Sequence, residues 1–164
     1  MNLADRAQAA TTLLLQRGET IAVSESSTGG LVSAALLAVP GASAYYLGGA
    51  VIYTAASRQA LLGLPADLPA AVRSASEPYA ALCAQIIRER HGATWGLAET
   101  GATGPSGNRY GDRAGHCCIA IAGPVQTTVT LDTGVSDREA NMHAFAQSAL
   151  ELLGKTLAGA PRSG

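Results

Sequence analysis

The chain has little positive charge to spend. Its single lysine is Lys155, ten arginines are scattered singly, and 11 cationic against 12 anionic side chains leave a net charge of −1. Phosphate backbones are bound by clustered Lys and Arg, so the composition argues against a nucleic-acid partner. Aromatic residues are equally scarce, at 4% with one Trp and one Phe. Ala, Val and Leu must therefore build the core, which favours helices packed closely on a sheet. No apolar stretch is long enough to span a bilayer, and the first residues, MNLADRAQAATTLLLQRG, form neither a signal peptide nor a membrane anchor. Three cysteines, Cys83, Cys117 and Cys118, give an odd count. Adjacent Cys117 and Cys118 on a strand point to opposite faces, which suits free thiols in a cytoplasmic protein better than a disulfide framework.

What is present is 48% hydrophobic residue in 164, enough for one domain with a full core, here taken as residues 1–164 with a fraying tail at 159–164. The periodicity alternates between helix and strand. A helix is predicted from about Leu3 to Gln16, stopped by Gly18, then a strand over 20–23 and a helix from Leu31 towards Pro40. A strand from Ala44 to Tyr53 carries Gly48-Gly49, the mark of a bulge or a close backbone approach. Ser57 to Leu62 reads as a short helix, and Ser76 caps one running to about Arg90. Trp95 to Thr100 is a buried strand. His116–Ala122 and Thr127–Leu131 are joined by Gly123-Pro124 into a hairpin, and Ser136-Asp137-Arg138-Glu139 is a capping box for a last helix. The fold class predicted is α/β, a single-domain three-layer sandwich with a mixed sheet and helices on both faces.

The stretch from Ser24 to Gly30 joins a strand to a helix through hydroxyls and glycines. A helix start offers unpaired N–H groups and a positive dipole end, suited to an anion or a developing oxyanion. Ser26 is a candidate nucleophile there, with Glu25, Thr28, Gly29 and Gly30 as substrate contacts and the N–H groups of 28–30 as oxyanion donors. The competing role is an ordinary N-cap followed by a glycine turn. Neither a hydrolase elbow nor a nucleotide P-loop fits the spacing. Tyr53 and Arg58 follow a second strand, and the loop Thr100–Gly107 follows a third. Because ligands collect where loops leave the carboxyl ends of strands, these three segments are expected to line one pocket. Gly101, Thr103, Gly104, Arg109 and Arg113 are its further candidate contacts, the two arginines for a phosphate unless they pair with Asp112 on the surface. His116, Cys117 and Cys118 cannot converge from successive strand positions, so no metal site is expected.

These segments resemble the C-terminal domain of the competence/damage-inducible protein CinA, a domain that also occurs alone as a nicotinamide-nucleotide amidase. Glu25-Ser26-Ser27-Thr28-Gly29-Gly30 is similar to the family's E-S-C-T-G-G. Val39–Ser43, Gly48-Gly49, Tyr53, Leu61–Gly63, Ser74–Pro78 and Gly101–Pro105 follow in the family's order. The resemblance implies hydrolysis of nicotinamide mononucleotide to nicotinate mononucleotide and ammonia, with no cofactor, by a homo-oligomer. It implies Ser26 as nucleophile, assisted by Tyr53 and by a lysine whose position falls on Arg58. Arginine stays protonated and cannot serve as base. Arg58 is left to bind substrate or stabilise charge, and Tyr53, Glu25 and His116 are the candidate bases. The alternative is a nucleotide-binding module that has lost the hydrolysis. The loop from Gly107 to His116 departs from the family's usual one.

Overall fold

Ile21–Glu25 (β1) is the axis of the molecule, a five-residue strand buried along its whole length. The computed structural model describes residues 1–163. Before β1 lies Leu3–Arg17 (α1), and after it come Leu31–Leu37 (α2), Tyr46–Val51 (β2) and Ala55–Leu62 (α3). Glu77–His91 (α4), Trp95–Gly101 (β3), His116–Ala122 (β4), Thr127–Asp132 (β5) and Arg138–Gly159 (α5) complete the chain. The sheet runs β2-β1-β3-β4-β5. β2 and β3 flank β1 in parallel, while β4 and β5 form the predicted antiparallel hairpin. The carboxyl ends of β1, β2 and β3 therefore share one edge of the sheet.

Strand alternation sorts the core into two layers. Ile21 and Val23 of β1, Trp95 and Leu97 of β3, and Cys117, Ile119 and Ile121 of β4 pack under α1, α2 and α5, with Leu14, Leu36, Phe145 and Leu150. Ala22, Ala98, Cys118, Ala120 and Ala122 face the opposite way, against Tyr79, Cys83 and Ile87 of α4. The small residues on that side let α4 sit close, and a side chain at Gly96 would run into the Ala84 carbonyl. The result is the three-layer α/β sandwich. Cys117 and Cys118 do part to opposite faces, and all three cysteines are buried free thiols.

The Gly48-Gly49 pair serves both purposes expected of it. The pairing skips one residue, with Ile21 opposite Tyr46 but Ala22 opposite Gly48. A Cβ at Gly49 would collide with the Val23 carbonyl oxygen. The start of the last helix differs from the sequence reading. Asp137, not Ser136, caps α5, accepting from the Ala140 N–H at 2.8 Å. Among the described residues near the C-terminus, Arg17 donates to the carbonyls of Leu157 and Ala160, and the Ser163 N–H donates to Glu19 at 2.8 Å. Among the described residues no helix is long and apolar enough to cross a membrane.

Candidate active site

Glu25 and Glu99 stand side by side at the carboxyl ends of β1 and β3, because Ser24 pairs with Ala98 in the parallel register. By alternation both point to the α2 side of the sheet, and both are buried. A buried carboxylate must find donors, and the serine turn supplies them. Glu25 accepts from the N–H groups of Gly30, Val32 and Ser33 at 2.9–3.0 Å, which caps the first turn of α2. Gly30 itself sits at φ 109 and has no side chain to cap with. Glu99 accepts from the Ser26 and Thr28 N–H groups at 3.0 Å and from the Ser27 hydroxyl.

The Thr28 hydroxyl joins the two carboxyl groups, 2.7 Å from an oxygen of each. A hydroxyl has one proton to donate, so that one proton is shared between the two carboxyl oxygens. Burial pushes the Glu99 carboxyl above the usual range, although the bonds from Ser27, Ser26 and Thr28 pull it part of the way back.

This pairing corrects the reading of the turn. The N–H groups of Thr28 and Gly30 are held by carboxylates, and that of Gly29 by the Ser26 carbonyl at 3.2 Å, so none of the three is open to an oxyanion. The Ser27 N–H enters none of these pairs. Glu25 is the anchor of α2 rather than a pocket residue, which removes it as a base. Thr28 is wholly buried beside it.

Ser26 is different. Its backbone is pinned by Glu99, yet its side chain is half-buried and lines a pocket of about 540 Å³. Ile52 and Tyr53 from the end of β2, and Thr100 and Gly101 from the end of β3, line the same pocket. The three strand ends do meet there. Tyr53 is 58% exposed, and its hydroxyl accepts from Arg138 at 2.7 Å, so its own proton is directed elsewhere. Arg138 also holds the Gly104 carbonyl at 2.6 Å, tying the glycine loop to the start of α5. Thr103 and Gly104 support the loop from beneath: the Thr103 carbonyl accepts from Asn141.

Arg58 is 8% exposed and lines the pocket too. It donates to Ser74 Oγ at 3.1 Å and the Ala66 carbonyl at 2.7 Å, and its guanidinium lies 5.7 Å from the centre of the Tyr79 ring. Arg109 lines the pocket, with Asn108 and Tyr110, whereas Arg113 is exposed away from it. Neither pairs with Asp112. That carboxylate takes a two-pronged contact from Arg73 at 2.7 and 3.2 Å and another from Asn108 at 2.8 Å. Partial burial raises the Asp112 pKa, but these bonds and the nearby His116 more than offset it, leaving it below the ordinary aspartate range. His116 donates its Nε2–H to the Ala75 carbonyl, 2.7 Å away, and lies outside the pocket lining, so it too is removed as a base. The sequence reading missed Glu99, Arg138 and Ser74. Glu99 was signalled only by a lone carboxylate inside an apolar strand.

With this geometry in place, the chain matches the family model for the CinA C-terminal domain over residues 3–157. A CinA-like protein of Prochlorococcus marinus is 47% identical over 112 residues, 68% of this chain and 26% of that relative. A CinA-like protein of Anaeromyxobacter sp. (strain K) is 42% identical over 140 residues, 85% of this chain and 34% of the relative. The chain thus spans about a quarter to a third of these relatives' length. Among solved structures, the competence damage-inducible protein A of Klebsiella pneumoniae superposes with a TM-score of 0.87 at 26% identity, covering 97% of this chain and 99% of that one. The competence/damage-inducible protein CihA of Agrobacterium tumefaciens gives 0.85 at 25% identity, with 96% of each chain covered.

Proposed function

Because this chain belongs to the CinA C-terminal domain family, we propose that it is an amidohydrolase acting on the carboxamide of a pyridine nucleotide, nicotinamide mononucleotide in the first instance. One observation carries the proposal. Ser26 alone of the turn's hydroxyls faces the pocket, on a backbone fixed by a buried carboxylate.

In this reading Ser26 Oγ attacks the carboxamide carbon and gives up its proton as the C–O bond forms. The tetrahedral intermediate then expels ammonia, which leaves with that proton, and water hydrolyses the remaining acyl ester to the carboxylate. Tyr53 is the group best suited to relay the proton. Its oxygen accepts from Arg138, which frees the phenolic proton to face the pocket. The Ser27 N–H and the unspent donors of Arg58 are the candidates to hold the oxyanion. Arg58 cannot act as base.

A second reading, a nucleotide-binding module without turnover, is favoured by Arg58 itself. It stands where the resemblance puts a lysine and is held by Ser74 and Ala66. Ammonia release from nicotinamide mononucleotide separates the two. Turnover by the wild type supports the amidase. Binding without turnover, with slow release gained on Arg58→Lys, supports the binding module. The self-association implied by the resemblance is checked by light scattering.

A further inference from the structure

β2 lies at an open edge of the sheet, and no charge guards it. Among the described residues β2 pairs with β1 alone, so the backbone groups along its outer side have no strand to bond. Natural sheets blunt such edges with lysine, proline, a bulge or an inward-pointing charge. β5, at the opposite edge, is dressed with polar groups: its Thr128 and Thr130 hydroxyls donate to Glu77 at 3.1 and 2.8 Å, and the strand ends on Asp132. β2 has neither charge nor proline. Its bulge falls at the entry to the strand and leaves residues 48–51 in regular register. From Ser26 to Ser57 the chain has no acidic, basic or histidine residue, its longest stretch of that kind.

That stretch builds one side of the molecule. α2 packs against β2, and on these two elements Leu37, Leu47 and Val51 are 53, 44 and 43% exposed. Ala34 and Ala38, near Leu37 on α2, are exposed too and small enough to admit a close neighbour. Soluble domains rarely leave large apolar side chains clustered beside an unpaired strand without a partner for them. Charge indicates which partner. A protein chosen through ion pairs finds none on this edge, whereas a second copy matches its neutrality. An edge strand also meets its own copy antiparallel about a twofold axis, with donors facing acceptors. Gly48 and Gly49 carry no side chain to hold the second strand away.

We propose that two copies of this chain associate through β2, joining two five-stranded sheets edge to edge, with Leu37, Leu47 and Val51 packed at the joint. Ile52 and Tyr53 continue β2 into the pocket, so the joint braces one wall of each site. The association does not depend on what the pocket binds.

Sedimentation velocity of the intact protein over a range of concentrations tests it, with the fold of each variant checked by circular dichroism and its urea midpoint. The wild type is expected to sediment as a dimer. Leu47→Lys brings two cations together at the joint and should weaken the dimer by about 100-fold or more. Leu37→Lys should weaken it in the same direction, and it decides alone if Leu47→Lys fails to fold. Val135→Lys, at an equally exposed apolar position before α5, should leave the dimer intact. A larger assembly that Leu47→Lys halves likewise supports the edge. A wild type that sediments as a monomer overturns the proposal. So does an assembly that neither lysine disturbs, or one that Val135→Lys weakens as much as they do.

Discussion

At the residue scale, Thr28 is the most constrained position in the site. Its single hydroxyl lies between two buried carboxyl groups and lets one proton serve both. Thr28→Val keeps the shape and removes the bridge, leaving two carboxyl oxygens short of a partner. The expected cost is about 1–3 kcal/mol, read from urea unfolding. Glu99→Gln tests the same network from the other side. The amide cannot accept from the Ser26 and Thr28 N–H groups and the Ser27 hydroxyl as a carboxyl does, so the position of Ser26 loosens. Any amide turnover should then fall in kcat more than in KM. A Glu99→Gln protein with unchanged kcat and stability would show that the turn holds itself. The sequence identified Ser26, Tyr53, Arg58 and Gly101 as neighbours because each follows a strand. It did not identify the partner of Glu25, because pairing between β1 and β3 is a property of register, and register joins residues more than 70 positions apart.

At the scale of elements, β2 depends on a glycine. Gly49 lies so close to Val23 that any Cβ strikes a carbonyl oxygen. Gly49→Ala forces β1 and β2 apart, and overpacking of this kind costs typically about 1–3 kcal/mol, measurable as a lowered urea midpoint. Ile52 and Tyr53 would shift with the strand, so ligand affinity should fall in the same variant. Helix ends were legible because their signals are local: Gly18, Gly63 and Gly92 all stop helices in left-handed backbone. The start of α5 was misplaced by one residue. Ser136 and Asp137 are both good caps by residue type, and in the structure it is Asp137 that accepts from the Ala140 N–H. Glu25 shows a limit of local signals, since α2 is capped by a side chain from the preceding strand rather than by its own first residue.

At the scale of the whole molecule, the fold was legible because hydrophobic period, strand composition and the hairpin turn all point to one α/β arrangement. The charge network that ties its far parts together was not. Arg73–Asp112 joins the connection before α4 to the long loop, and Glu19 joins α1 to Trp95 and Ser163. For Glu19, burial raises the carboxyl, but the bonds from Ser163 and Trp95 and the charge of Arg17 outweigh it and hold it low. Asp112 is held low as well. A depressed folded pKa gives stability that is present above the unfolded value, about 3.9 for Asp and 4.3 for Glu, and lost as pH falls through the folded one. Tm is therefore expected to drop steeply below about pH 4, and Asp112→Asn should flatten that limb. A limb equally steep in Asp112→Asn would assign acid unfolding to other carboxylates.

The central claim is that the pocket-facing serine at the end of β1 does the chemistry. The most direct measurement is ammonia released from nicotinamide mononucleotide by the wild type and by Ser26→Ala, alongside the dissociation constant of the nucleotide for each. The account predicts release that falls by on the order of 10³-fold or more in Ser26→Ala, with the dissociation constant nearly unchanged. Release that continues undiminished in Ser26→Ala would contradict it.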